Sequence, residues 1–122
     1  MLDSFEGSFG YTYEVSKKIA SDKRFDAKLL TTKHKCELDI FYSLQDNKHK
    51  NCIWVEDFIF FKENGLNKVF VVRELVTCTT ISGLISTFAD LQRSFPMYYV
   101  KSYVYQLLGA VSHLHSLGYS HR

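Results

Sequence analysis

A stripe of apolar residues at helical spacing dominates the last quarter of the chain and constrains what it can fold into. Val100, Tyr103, Val104, Leu107, Val111 and Leu114 recur at i, i+3, i+4, i+7, i+11 and i+14, the period of a single helix face. Pro96 suits the first turn, where its missing N–H costs nothing. Gly118 is placed to end the helix in the left-handed conformation that glycine adopts freely. The result is an amphipathic helix of about five turns, with a greasy face that must be covered. Upstream the period changes to two. Residues 11–15 and 24–30 are rich in aromatic and apolar side chains, and the polar stretch 16–23 between them suits an antiparallel pair. From 33 to 45, Leu38, Phe41 and Gln45 fall on one helical stripe and Glu37, Ile40 and Leu44 on its neighbour, which predicts a short helix. Residues 57–61 and 68–73 read as strands around a 62–67 connection whose Asn64-Gly65 is a strong hairpin signal. Strand, strand, helix, strand, strand, then helices: the order predicts an α+β fold with a small antiparallel sheet and one packed helix, followed by a helical segment.

Composition narrows the function classes. At 122 residues the chain has the length of about one domain. A single proline and six glycines argue against long disordered stretches. Fifteen basic and thirteen acidic residues give +2, too balanced for a dedicated nucleic-acid binder. No apolar run approaches the roughly 20 residues that a bilayer crossing needs, and the first residues lack the pattern of a secretory signal. A cytoplasmic or nuclear location is therefore expected, without nucleic-acid or membrane partners. Cys36, Cys52 and Cys78 form no C-x-x-C and are expected to be three reduced thiols, neither a disulfide framework nor a zinc site. His113 and His115, two apart on a helix, point to different faces, so no metal site is expected there.

Three signals with chemical content sit on this frame. Gly7-Ser8-Phe9-Gly10 opens a strand, and glycines there let backbone N–H groups approach a phosphate, although such a loop is more often only a turn. Lys28 lies in a strand and Glu37 in the next helix; an ion pair between them would hold an ammonium toward a phosphate, whereas a solvated surface pair is the default. His121-Arg122 says nothing alone. Together and in this order, they resemble the N-terminal half of the protein-kinase signature. Tyr99-Val100-Lys101, Tyr103-Val104-Tyr105-Gln106-Leu107, His115-Ser116-Leu117-Gly118 and His121-Arg122 resemble the shaggy (glycogen synthase kinase 3) family. So do Glu6-Gly7-Ser8-Phe9-Gly10 with Tyr13, Cys36-Glu37-Leu38-Asp39-Ile40 with Leu44, and His49-Lys50-Asn51-Cys52-Ile53. The resemblance runs from about residue 5 to 122 and is densest over 98–122.

The resemblance implies a small lobe over residues 1–76 with its first strand mostly missing, then a hinge and the first two helices of an incomplete large lobe over 77–122. Gly7 and Gly10 would cover the phosphates of ATP, with Phe9 at the loop tip and Ser8 and Thr12 completing the nucleotide-binding set. Lys28 would contact the α- and β-phosphates and be held by Glu37. Arg73 would be the gatekeeper, Glu74 and Val76 would offer backbone groups to adenine, and Arg122 would directly precede the catalytic base. ATP with Mg²⁺ and protein serine or threonine are the implied reactants.

Departures from the family pattern carry expectations of their own. The catalytic aspartate would follow Arg122, so these 122 residues alone are expected not to turn over. Phe5 stands where the first loop glycine belongs, and its Cβ would obstruct a close turn. Asp26 replaces a small residue against adenine and Arg73 makes a bulky, charged gatekeeper; a carboxylate buried beside a polyphosphate is costly. Cys36 replaces the basic residue with which the family reads phosphorylated substrates. Six unburied side chains on the final helix leave about 9–18 kcal/mol unrealised, which predicts self-association or chaperone binding. Two rival classes remain. One is a non-catalytic, pseudokinase-like interaction module; the other is an RNA-recognition module suggested by residues 7–13, against which Glu6 in place of a basic lead residue counts.

Overall fold

The computed structural model describes residues 4–7, 10–17 and 20–120. Two compact units divide the chain, Met1–Val76 and Thr77–Arg122. In the first, β1 (Ser4–Gly7), β2 (Gly10–Lys17) and β3 (Ala20–Thr31) are followed by a short 3₁₀ turn and α1 (Lys35–Asp46), then β4 (Val55–Glu63) and β5 (Leu66–Glu74). All neighbours pair antiparallel in a five-stranded sheet of order β1-β2-β3-β5-β4.

The expected strand pairs are present and longer than the apolar pattern suggested. β2 and β3 run into the polar stretch because backbone pairing continues through Ser16↔Arg24, with a register irregularity between Ser16 and Lys17; polar side chains tolerate an exposed strand end. The first strand, expected to be mostly missing, is a four-residue strand with Ser4 opposite Tyr13 and Gly7 opposite Gly10. Phe5 accordingly lies in paired strand opposite Thr12 rather than in the turn it was expected to obstruct. Asn64 (φ 50°) and Gly65 (φ 77°) close the β4–β5 hairpin with two consecutive left-handed residues, the conformation that matches the twist of the flanking strands.

Alternation along the strands sorts side chains to two faces. One face carries Leu30, Val55, Val69 and Val71, all buried, and receives Phe41 and Leu44 of α1. Tyr42 of α1 lies with its ring centroid 4.3 Å from that of Phe58 on β4. The two buried residues of α1, Phe41 and Leu44, come one from each of the two expected stripes, Leu38–Phe41–Gln45 and Glu37–Ile40–Leu44. Gln45 instead donates through Nε2 to the Glu56 carbonyl at 3.3 Å. On the other face Phe25, Ala27 and Val72 are buried beside an aromatic group in which Phe70 meets Tyr13 edge-on and stacks on Phe61. An apolar hollow of about 580 Å³ opens there.

The second unit holds α2 (Ile81–Asp90) and α3 (Met97–Ser116). Thr80 caps α2 by accepting from the Gly83 amide at 3.1 Å. Pro96 stands at the N-cap with ψ 130°, one position ahead of the expected first turn. Gly118 (φ 84°) ends α3 as expected: its amide donates to the His115 carbonyl, and Tyr119 donates to Leu114. These are the paired bonds of a Schellman motif. Phe95 joins the helices, its ring centroid 5.2 Å from Phe88 and 6.0 Å from Tyr99. Neither helix buries a side chain, and Leu107 on the apolar stripe is 60% exposed. Among the described residues no helix is long and apolar enough to cross a membrane, and Cys36, Cys52 and Cys78 form no disulfide.

Candidate functional site

The site is built where β2, β3, β5 and α1 share a face. Lys28 is opposite Thr12 on one side and Val71 on the other, so all three project from the α1 side of the sheet. Its side chain is only 11% exposed, and Nζ forms an ion pair with Glu37 Oε1. A lysine this buried is stable in the charged form only when its ammonium is partnered, and α1 supplies the partner from one turn before Phe41. The pair is therefore not the solvated surface pair that the isolated residues suggest. Glu37 keeps about a third of its side chain in contact with solvent, so the pair, over the central strand of the sheet, is open to water on its carboxylate side.

Two residues expected as liabilities form a single interaction. Asp26 lies directly opposite Arg73 in the β3–β5 register. Arg73 donates through Nε to Asp26 Oδ1 at 2.8 Å and through Nη2 to Oδ2 at 2.7 Å. This fork-on-fork geometry is the strong form of an ion pair, at side-chain exposures of 14% and 20%. The guanidinium carbon also lies 5.7 Å from the Phe41 ring centroid. Asp26 thus presents no bare carboxylate, and Arg73 no bare cation. Sequence reasoning saw both residues and missed the pair; opposite charges were the signal, but the β3–β5 register joining them is not local.

The other expected positions are distributed as follows. Gly7 and Gly10 face each other at the β1–β2 connection, and Thr12, half-buried, lies two residues beyond on β2. Ser8, Phe9 and Arg122 lie outside the described residues. Glu74 ends β5: its amide donates to the Trp54 carbonyl at 3.0 Å, and its Oε1 accepts from the Trp54 amide at 2.9 Å. The Glu74 N–H is therefore already committed. Val76, in the irregular segment after β5, is exposed. Cys36 is exposed at the start of α1, next to Glu37. Among the described residues no group of three His, Cys, Asp or Glu side chains is placed to hold a metal ion.

A small antiparallel sheet with one packed helix and a strand-lysine to helix-glutamate ion pair is compatible with the small lobe of a kinase. Comparison with curated proteins finds similarity to "Glycogen synthase kinase 1" of Pyricularia oryzae, 27% identical over 128 residues. The aligned region covers 95% of this chain and 29% of that relative, so the chain spans under a third of the relative's length. This similarity supports a kinase-like relationship. No family model matches the chain.

Proposed function

We propose that this chain is the nucleotide-phosphate-gripping part of a serine/threonine protein kinase of the glycogen synthase kinase type. The longer protein would transfer the γ-phosphate of ATP to protein serine or threonine. The observation that carries the reading is the Lys28–Glu37 pair, set opposite Thr12 and within two residues of the Gly7–Gly10 connection on the next strand.

In this reading Lys28 binds the α- and β-phosphates as a point charge. Glu37 orients the ammonium and keeps it from swinging into solvent, while the amides around Gly7 and Gly10 approach the phosphate oxygens. Mg²⁺ would neutralise phosphate charge when bound with ATP. The adenine end is the less conventional part. Asp26 and Arg73 are self-neutralised, so a base would lie against a flat ion pair instead of an alkyl surface.

Thermal unfolding with and without millimolar Mg-ATP tests the reading. Ligand at tenfold its Kd stabilises by about 1.4 kcal/mol through RT ln(1 + [L]/Kd). A shift that disappears in Lys28→Met supports the site, and no shift at millimolar nucleotide rejects it. A second reading, a non-catalytic interaction module, is favoured by the same Asp26–Arg73 pair and by the open apolar face of α3, which suits self-association or chaperone binding.

A further inference from the structure

The contacts of Arg73 reach three elements. Its guanidinium is held bidentately by Asp26 on β3, it belongs to β5, and it lies against the ring of Phe41 on α1. Phe41 is itself buried and stands one helical turn after Glu37. A cation against an aromatic face is attracted most where water is excluded, and this one is largely excluded. The two bonds from Asp26 fix the plane of the guanidinium against which the Phe41 ring of α1 lies.

We propose that Arg73 is a positioning residue, and that the Asp26–Arg73–Phe41 array holds α1 at the register in which Glu37 meets Lys28. Arg73 acts through α1 and touches neither reacting group. Its importance for phosphate binding rests on the proposed function, whereas the array itself is tested without nucleotide, so the two can fail separately.

The test is competitive acylation of lysines in the full chain, read by peptide mass spectrometry as the rate for Lys28 relative to Lys68. Lys68 is a suitable internal standard because it is paired with Glu63 on the β4–β5 hairpin, at 19% side-chain exposure and away from α1. Glu37→Gln calibrates the assay by removing the partner of Lys28 and is expected to raise the ratio several-fold. Arg73→Met, which keeps an apolar chain in place, is expected to raise it to a comparable extent with Lys68 unchanged. An unchanged ratio in Arg73→Met overturns the proposal. Should Arg73→Met unfold the sheet, all lysines accelerate together, and Phe41→Leu decides. That variant keeps both charges and most of the volume but removes the ring; it is expected to raise the Lys28 ratio at constant Lys68, and protection equal to wild type overturns the proposal.

Discussion

Deleting one partner of the Asp26–Arg73 pair, and then both, measures how far the tertiary structure has turned two sequence liabilities into one stabilising contact. Removing one member of a buried ion pair costs about 3–5 kcal/mol, because the remaining charge stays desolvated. At exposures of 14% and 20%, water reaches part of each group, which lowers the expected cost to about 2–3 kcal/mol for Asp26→Ala or Arg73→Met alone. Asp26→Ala/Arg73→Met leaves no orphan charge, and methionine can lie against the Phe41 ring, so the double variant is expected within about 1 kcal/mol of the parent. For a double variant costing between 0 and about 1 kcal/mol, the coupling energy of the cycle is then about 3–6 kcal/mol in magnitude. Urea unfolding followed by the fluorescence of Trp54 is the assay. Trp54 is the single tryptophan, and its backbone is bonded to Glu74, beside Arg73. Single variants costing under about 0.5 kcal/mol each, with additive effects, would refute the reasoning.

Other outcomes follow from individual positions. Gly65→Ala is expected to cost about 1–2 kcal/mol in the same unfolding assay. Nothing lies within 4 Å of the added Cβ, so the whole effect is backbone strain, and a neutral result would contradict the left-handed turn. Burial pushes the Cys52 thiol up from its ordinary value, whereas Cys36 and Cys78 are exposed. Iodoacetamide at neutral pH should therefore label Cys36 and Cys78 first, as resolved by peptide mapping. The folded state keeps the Cys52 proton longer, so this contribution to stability is whole below the unfolded thiol pKa, about 8.5, and is lost as pH rises through the folded value. Leu107→Lys, at an exposed position on α3, is expected to reduce self-association in sedimentation velocity; a monomeric parent chain would remove the basis for that expectation.

Short-range features of the fold were legible because their causes are short-range. The Asn64-Gly65 hairpin and the Gly118 helix end depend on which residues tolerate positive φ, and both occur where the sequence puts them. The apolar stripe of α3 was legible for a similar reason, since its period is intrinsic to a helix. Less was visible in α1, where only Phe41 and Leu44 are buried, one from each expected stripe, and half-exposed Glu37 is held by its ion pair with Lys28. Hydrophobic periodicity gives no weight to a carboxylate that turns inward to meet a lysine. The four-residue β1 escaped because so short a strand has too few positions for alternation to register, although pairing with β2 satisfies its backbone.

By itself, then, the amino-acid order determined the turns, the helix ends, the alternating strands and the candidate pair Lys28 and Glu37. Tertiary structure alone decided which charges meet. Lys28 could have been a solvated surface residue, and Asp26 and Arg73 two separate obstacles; the β3–β5 register brings the latter into contact across 47 positions of chain. The worth of a charge depends on its distance to a partner and on the water left around it. Both quantities exist only once strands distant in sequence lie side by side.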